Sequence, residues 1–173
     1  LGPEVPIISG VAHDNTESLA TVRRVPNEPG MAAKVFTLLA EAGVNVDMIV
    51  QASASTGTAD ISFTVPGSAA AKVREVLQEK QDELGYQSFD IDANVGKVAV
   101  VGVGMKTHSG LAAKFFNALS DKGVNVLMIS TSEIRIAALV PLEQLQDAVR
   151  ALHTAYGLDA EQVEAVVYGG TGR

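Results

Sequence analysis

The chemistry this sequence offers is held by two loops and two asparagines. Asn27-Glu28-Pro29-Gly30 and Lys106-Thr107-His108-Ser109-Gly110 each stand just before a stretch that reads as a helix. The first turn of a helix leaves backbone N–H groups unpaired and carries a partial positive charge. A free amino acid's carboxylate can dock there without an arginine, and Gly lets it approach the backbone closely. The plainer alternative is that Pro-Gly simply starts a helix. Asn45 and Asn125 each sit between two valines, at the opening of a run that reads as an apolar strand, where Asn is disfavoured. An amide both donates and accepts, so it suits a ligand with an ammonium and a carboxylate; a turn residue is the alternative. The start of that strand is expected beside the loop before the helix. Asp47, two residues on, faces the same side as Asn45 and can read a basic side chain, or is a solvated edge residue. Leu127 stands at its place in the second copy and cannot do so, so two sites would differ in selectivity. The hydroxyls of Ser130, Thr131 and Ser132 lie at a tight turn, to cap a ligand or to make the turn. His108 is a ligand contact or a loop residue, and Met105 at a strand end can line a pocket.

Catalysis has little to stand on. No Gly-x-x-x-x-Gly-Lys-Ser/Thr phosphate loop occurs. Gly102-Val103-Gly104 is too short for a dinucleotide fingerprint. His13, His108 and His153 show no metal-ligand spacing. The absence of Cys removes disulfides, thiolate metal sites and a Cys nucleophile. The expectation is no catalytic residue, no metal and no cofactor.

The asparagines and loops recur because the chain repeats itself. Between 30–49 and 110–129, 12 of 20 residues are identical at an offset of 80, which points to a duplicated binding module. In the first copy, 19–25 reads as a strand. Asn27, able to cap, and Pro29 then open a helix with Ala32, Val35, Phe36 and Leu39 on one face. Gly43 ends it in a left-handed conformation. A buried strand over 44–50, a strand over 59–65, a helix over 68–84 and a strand over 87–93 follow. The second copy repeats the order: strand 97–103, helix 111–122 with Ala112, Phe115, Phe116 and Leu119 inward, a hairpin of 125–130 with 134–140, helix 142–156 ended by Gly157, and a closing strand over 164–168. A further strand over 7–12 precedes both. Strand, helix, strand, strand, helix, strand predicts two α+β units of ferredoxin-like fold, each a four-stranded antiparallel sheet with both helices on one face.

Composition agrees with two small cores. Of the 173 residues, 47% are hydrophobic but only 5% aromatic, with no Trp, so Val, Ile, Leu and Ala must fill the interior. The net charge of −7 repels phosphate backbones, which disfavours nucleic acid as a partner. No apolar run reaches the ~18 residues that cross a bilayer, and no secretory signal is visible. A cytoplasmic location without membrane contact is expected.

Together, 29–36 (Pro-Gly-Met-Ala-Ala-Lys-Val-Phe), 43–49 (Gly-Val-Asn-Val-Asp-Met-Ile), 96–105 (Gly-Lys-Val with Val-Gly-Val-Gly-Met), 131–136 (Thr-Ser-Glu-Ile-Arg-Ile) and the closing Val-Val-Tyr-Gly-Gly-Thr-Gly-Arg resemble the regulatory region, or separate β subunit, of bacterial aspartate kinases. The resemblance covers nearly the whole chain. It implies tandem ACT domains that bind lysine and threonine and regulate the first step of the aspartate pathway. One domain, 16–93, would be inserted into the other, 1–15 with 94–173, so that the leading strand packs with the second domain. It also implies side-by-side pairing of ACT sheets between two chains, with effectors at that interface, and a catalytic (α) subunit as partner. The kinase core, with its Lys-Phe-Gly-Gly-Thr start, is missing, so this chain alone would not phosphorylate aspartate. Carried over by position, the implied effector residues are Asn27, Pro29, Ala32, Asn45, Val46, Asp47 and Gln51, then Met105, His108, Asn125, Val126, Leu127, Ile129, Thr131 and Ser132. Departures cluster around them: Pro26 is atypical, Asn27 replaces a common Asp, Ser109 a common Pro, Leu127 a common acidic residue and Ala137 a common Ser. Weakened or altered feedback is the expectation.

Three rivals stand beside this reading. An ACT-type sensor of another biosynthetic enzyme would bind a different amino acid. An acylphosphatase-like enzyme would want an Arg in the loop before a first helix, and neither loop has one. An RNA-binding sheet would need stacking aromatics on its central strands, which are missing.

Overall fold

The computed structural model describes residues 7–104 and 110–158. In order these form β1 (Ile7–Asp14), β2 (Glu17–Pro26), α1 (Met31–Glu41), β3 (Ile49–Ser53), β4 (Thr58–Pro66), a 3-10 turn (Gly67–Ala69), α2 (Ala70–Glu79), α3 (Gln81–Leu84), β5 (Ser88–Asp92), β6 (Val95–Val103), α4 (Gly110–Asp121), β7 (Met128–Thr131), β8 (Arg135–Pro141), another 3-10 turn (Leu142–Gln144) and α5 (Leu145–Ala155). One compact unit is 16–93; the other joins the described residues before 16 to those from 94 onward.

Each unit has a four-stranded antiparallel sheet, in the orders β3-β4-β2-β5 and β7-β8-β6-β1. Both are ferredoxin-like. β1 lies against β6 as β5 lies against β2, so the strand that completes the second sheet comes from before the first unit. The closing strand predicted over 164–168 lies outside the described residues.

Helical and strand periodicities meet in two cores. In the unit 16–93, Val35 and Leu39 of α1 and Val73 and Leu77 of α2 pack on Ala20, Val22, Ile61, Phe63 and Val65. In the other, Phe115, Leu119, Leu145, Ala148 and Leu152 pack on Val11, Val98, Val100, Ile136 and Ala138. Each fully buried large side chain contributes roughly 1.5–3 kcal/mol. Ala112, predicted inward, is exposed, because Phe115 and Leu119 already fill the face of α4. Gly43 ends α1 at φ 79°, and Gly123 repeats it at 70°, a conformation that costs Gly little.

Two elements differ from the sequence reading. The stretch 44–48 carries no regular strand; β3 begins at Ile49 and is exposed throughout, not buried. The helix predicted over 68–84 divides at Lys80, whose φ of −106° and ψ of 16° leave the helical region between α2 and α3. Among the described residues no helix is long and apolar enough to cross a membrane, which says nothing of a β-barrel.

Candidate functional site

The loop before α1 is built from the end of β2. Asn27 N–H donates to the Gly57 carbonyl at 3.0 Å, Glu28 N–H to the Pro26 carbonyl at 3.0 Å and Met31 N–H to the Glu28 carbonyl at 3.2 Å. Asn27 does not cap the helix. Gly30 takes the N-cap position in a left-handed conformation with no side-chain cap, and no acidic residue stands in the first turn. Two residues separate Asn27 from Gly30, too many for it to reach the first N–H groups. Its amide turns to β3 instead, donating to Ser53 Oγ at 3.2 Å and accepting from Gln51 Nε2 at 3.5 Å. Asn27, Pro29, Gln51 and Ser53 are exposed. The helix start therefore presents its partial positive charge beside a cluster of neutral polar groups, an arrangement that can receive a carboxylate.

Asn45 and Asp47 lie elsewhere. Val44 N–H closes the C-terminal end of α1 on the Leu39 carbonyl at 3.0 Å. Asp47 N–H then donates to the Thr64 carbonyl, also at 3.0 Å. Asn27, by contrast, is tied to Gly57 at the other end of β4. From 57 to 64 a strand spans about 23 Å at ~3.3 Å per residue, and the 11 residues of α1 rise about 16 Å. The expectation that the Asn strand starts beside the helix loop is thus overturned within one unit. The chain reverses direction at Gly43, so whatever follows α1 sits at its far end. Asn45 and Asp47 are exposed, Val46 is half-buried, and Val46 and Ala32 pack against the core. A free amino acid cannot reach both groups in one copy.

The second unit repeats the far-end arrangement. Asn125 and Leu127 are exposed, and Leu127 N–H donates to the Leu139 carbonyl at 2.7 Å, as Asp47 does to Thr64. Val126 packs on the core. Ile129, Thr131 and Ser132 are exposed; Ser132 Oγ accepts from Ile134 N–H at 3.3 Å, so this hydroxyl shapes its turn. Met105, His108 and Ser109 lie outside the described residues. At the start of α4, Tyr156 donates its hydroxyl to the Leu111 carbonyl at 2.8 Å, and the Lys114 ammonium stands 5.1 Å from its ring centre. Burial pushes the Tyr156 phenol up to about 12.

Thr64 and Gln144 escaped the sequence reading. Thr64, fully buried, accepts from Met48 N–H through Oγ1 at 3.0 Å. Its counterpart, 75 positions on, is Leu139, which has no hydroxyl. There Gln144 braces the segment, accepting from Asn125 N–H at 2.8 Å and donating to the Gly123 carbonyl at 3.1 Å. Nothing in the sequence singles Thr64 out: it shares the polar alternation of Asp60 and Ser62 between Ile61, Phe63 and Val65. Thr64→Val keeps the shape but leaves the N–H of Met48, itself 2% exposed, without its acceptor. A loss of about 1–3 kcal/mol is expected, read as a lower urea midpoint at unchanged slope.

Comparison with known proteins places both repeats. The ACT domain family model matches residues 23–81 and 98–156. The aspartokinase of Corynebacterium glutamicum is 46% identical over 172 residues, 98% of this chain and 41% of its own length. That of Mycobacterium tuberculosis (H37Rv) is 44% identical over the same length and shares. The chain spans about two fifths of the length of these curated relatives. The crystal structure of aspartokinase alpha and beta subunits superposes with a TM-score of 0.82 at 42% identity, covering 87% of this chain and 99% of that one. The ligand-free regulatory subunit of aspartate kinase from Thermus thermophilus gives 0.82 at 37% identity, with the same coverage.

Proposed function

This chain belongs to the aspartokinases, of which it is the regulatory ACT-domain part, and from that premise we propose that it is an allosteric sensor of lysine and/or threonine. In this reading it binds these end products between paired ACT sheets and reports to a catalytic (α) subunit controlling the first step of the aspartate pathway. One ACT domain, 16–93, is inserted into the other.

The observation that carries the reading is the separation of the two polar groups to opposite ends of α1. β3 and β7 are edge strands, and they leave Ile49, Val50 and Ile129 substantially exposed, a combination that invites pairing with another chain. When two edge strands pair antiparallel, the start of one meets the end of the other. The Asn45–Asp47 segment of one domain then comes to the loop and helix start of its partner. A carboxylate on the α1 N-terminus, the α-ammonium on the opposite Asn45 amide and, for lysine, the ε-ammonium on Asp47 would complete an amino-acid site that neither copy holds alone. The reading includes a homodimer formed through its sheets.

Titration calorimetry with L-lysine, L-threonine and both tests this. Heat from lysine or threonine, with sedimentation as a dimer, is the expected result. A chain that answers another amino acid, or none of the twenty, is not this sensor. A second reading, weakened feedback, is favoured by the neutral Asn27 amide at the loop and by Leu127, 42% exposed where Asp47 stands in the first unit. It expects the same ligands to bind only in the millimolar range.

A further inference from the structure

β2 contains an irregularity that the effector reading leaves unused. Val22 pairs with Ile61, and the next pair is Val25 with Ala59. Arg23 and Arg24 therefore stand opposite Asp60 alone, one extra residue on β2. Arg24 has φ 58°, a left-handed conformation that a long L side chain rarely adopts. Its N–H donates to Asp60 Oδ1 at 2.9 Å.

The extra residue decides where everything after it points. Side chains alternate along a strand, so a one-residue shift exchanges the two faces. Val22 is buried, Arg23 and Arg24 are exposed, and Val25 is again buried at 1%. Without the bulge Val25 would face outward. The shifted register runs on through Val25–Ala59 and Pro26–Thr58. It ends in the bond from Asn27 N–H to Gly57 and the side-chain bonds of Asn27 to Ser53 and Gln51.

We propose that the Arg24–Asp60 bulge is the positioning device of the first effector loop: the Asp60 carboxylate holds Arg24 in its strained conformation, and the resulting register sets Asn27 and the start of α1 for the ligand. Arg24 and Asp60 are positioning residues and need not touch the ligand. Strained backbone concentrates where a site must be pre-formed. The proposal rests on the reading of the Asn27 loop as an effector site.

The test titrates L-lysine and L-threonine into the wild-type chain, D60A, D60N and R24G/D60A, and follows amide hydrogen exchange at Asn27. D60A is expected to bind roughly 10-fold more weakly and to exchange faster at Asn27. Asp60→Asn retains an acceptor and should stay near wild type. R24G/D60A should regain affinity, because Gly adopts the positive φ without the carboxylate's help. If D60A only melts at a lower temperature, with affinity and Asn27 exchange unchanged, the bulge is a fold feature and the proposal is overturned. If wild type binds neither amino acid, the effector reading fails; faster Asn27 exchange in D60A would still support the bulge's hold on the loop.

Discussion

Asp47→Leu is expected to remove lysine binding at the first domain while threonine binding stays within about twofold. The substitution copies the second domain, where Leu127 stands at this place, so the fold already tolerates it there. Backbone bonds help to set the path of the segment. Asp47 N–H is tied to the Thr64 carbonyl and Met48 N–H to Thr64 Oγ1, and both bonds use backbone donors that Leu also has. The substitution removes the charge offered to an ε-ammonium. A hydrogen bond to a charged group contributes about 1.5–3 kcal/mol, which is roughly 10- to 150-fold in affinity. Threonine has no second ammonium, so its contacts at the helix start and Asn45 are untouched. The converse change, Leu127→Asp, should raise lysine affinity at the second domain. Calorimetry on the two variants decides. Equal lysine affinity in wild type and D47L would remove Asp47 from the site.

How far the sequence leads is clearest at individual positions. The duplication made both units legible, and Gly43 and Gly157 marked helix ends that carry positive φ. The face of each buried helix followed from 3.6-residue spacing. The errors have physical causes. Val44-Asn45-Val46-Asp47 alternates with the period of a strand, yet its backbone first closes α1 and joins β4 only at Asp47. Regular pairing starts at Ile49 opposite Phe63. Asn27 has the chemistry of a cap, but its amide found β3 first. Nothing in Arg23-Arg24 announces a left-handed residue; only the pairing register reveals it. The split of the site between the two ends of α1 was also hidden, since neighbours in a motif are not neighbours in space once a helix intervenes.

Phe63→Ala is expected to be the most damaging single truncation in the unit 16–93, and the duplication says how to repair it. The ring is fully buried, meets Phe36 edge-on at 5.4 Å, and lies opposite Ala20 on β2 and Ile49 on β3. Its loss should cost about 3–5 kcal/mol, lowering the melting temperature by roughly 15–30 °C for a unit of this size. Its neighbours include Val22, Val35, Ile61 and Val65, β-branched and stiff, so they cannot collapse into the space. The other unit answers the same packing problem the opposite way. The counterpart of Phe63 is Ala138, and the counterpart of Val35 is Phe115, which is fully buried and edge-on to Phe116 at 4.9 Å. Each helix–sheet interface holds one fully buried phenylalanine, carried by the strand in one copy and by the helix in the other. V35F/F63A should therefore recover more than half of the stability that F63A loses, while V35F alone overpacks and costs about 1–3 kcal/mol. The coupling between the two changes, read from a double-mutant cycle in urea, should be favourable and larger than ~1 kcal/mol. Additive losses would mean that the two cores are not interchangeable solutions, and that the repeats had diverged in backbone as well as in side chains.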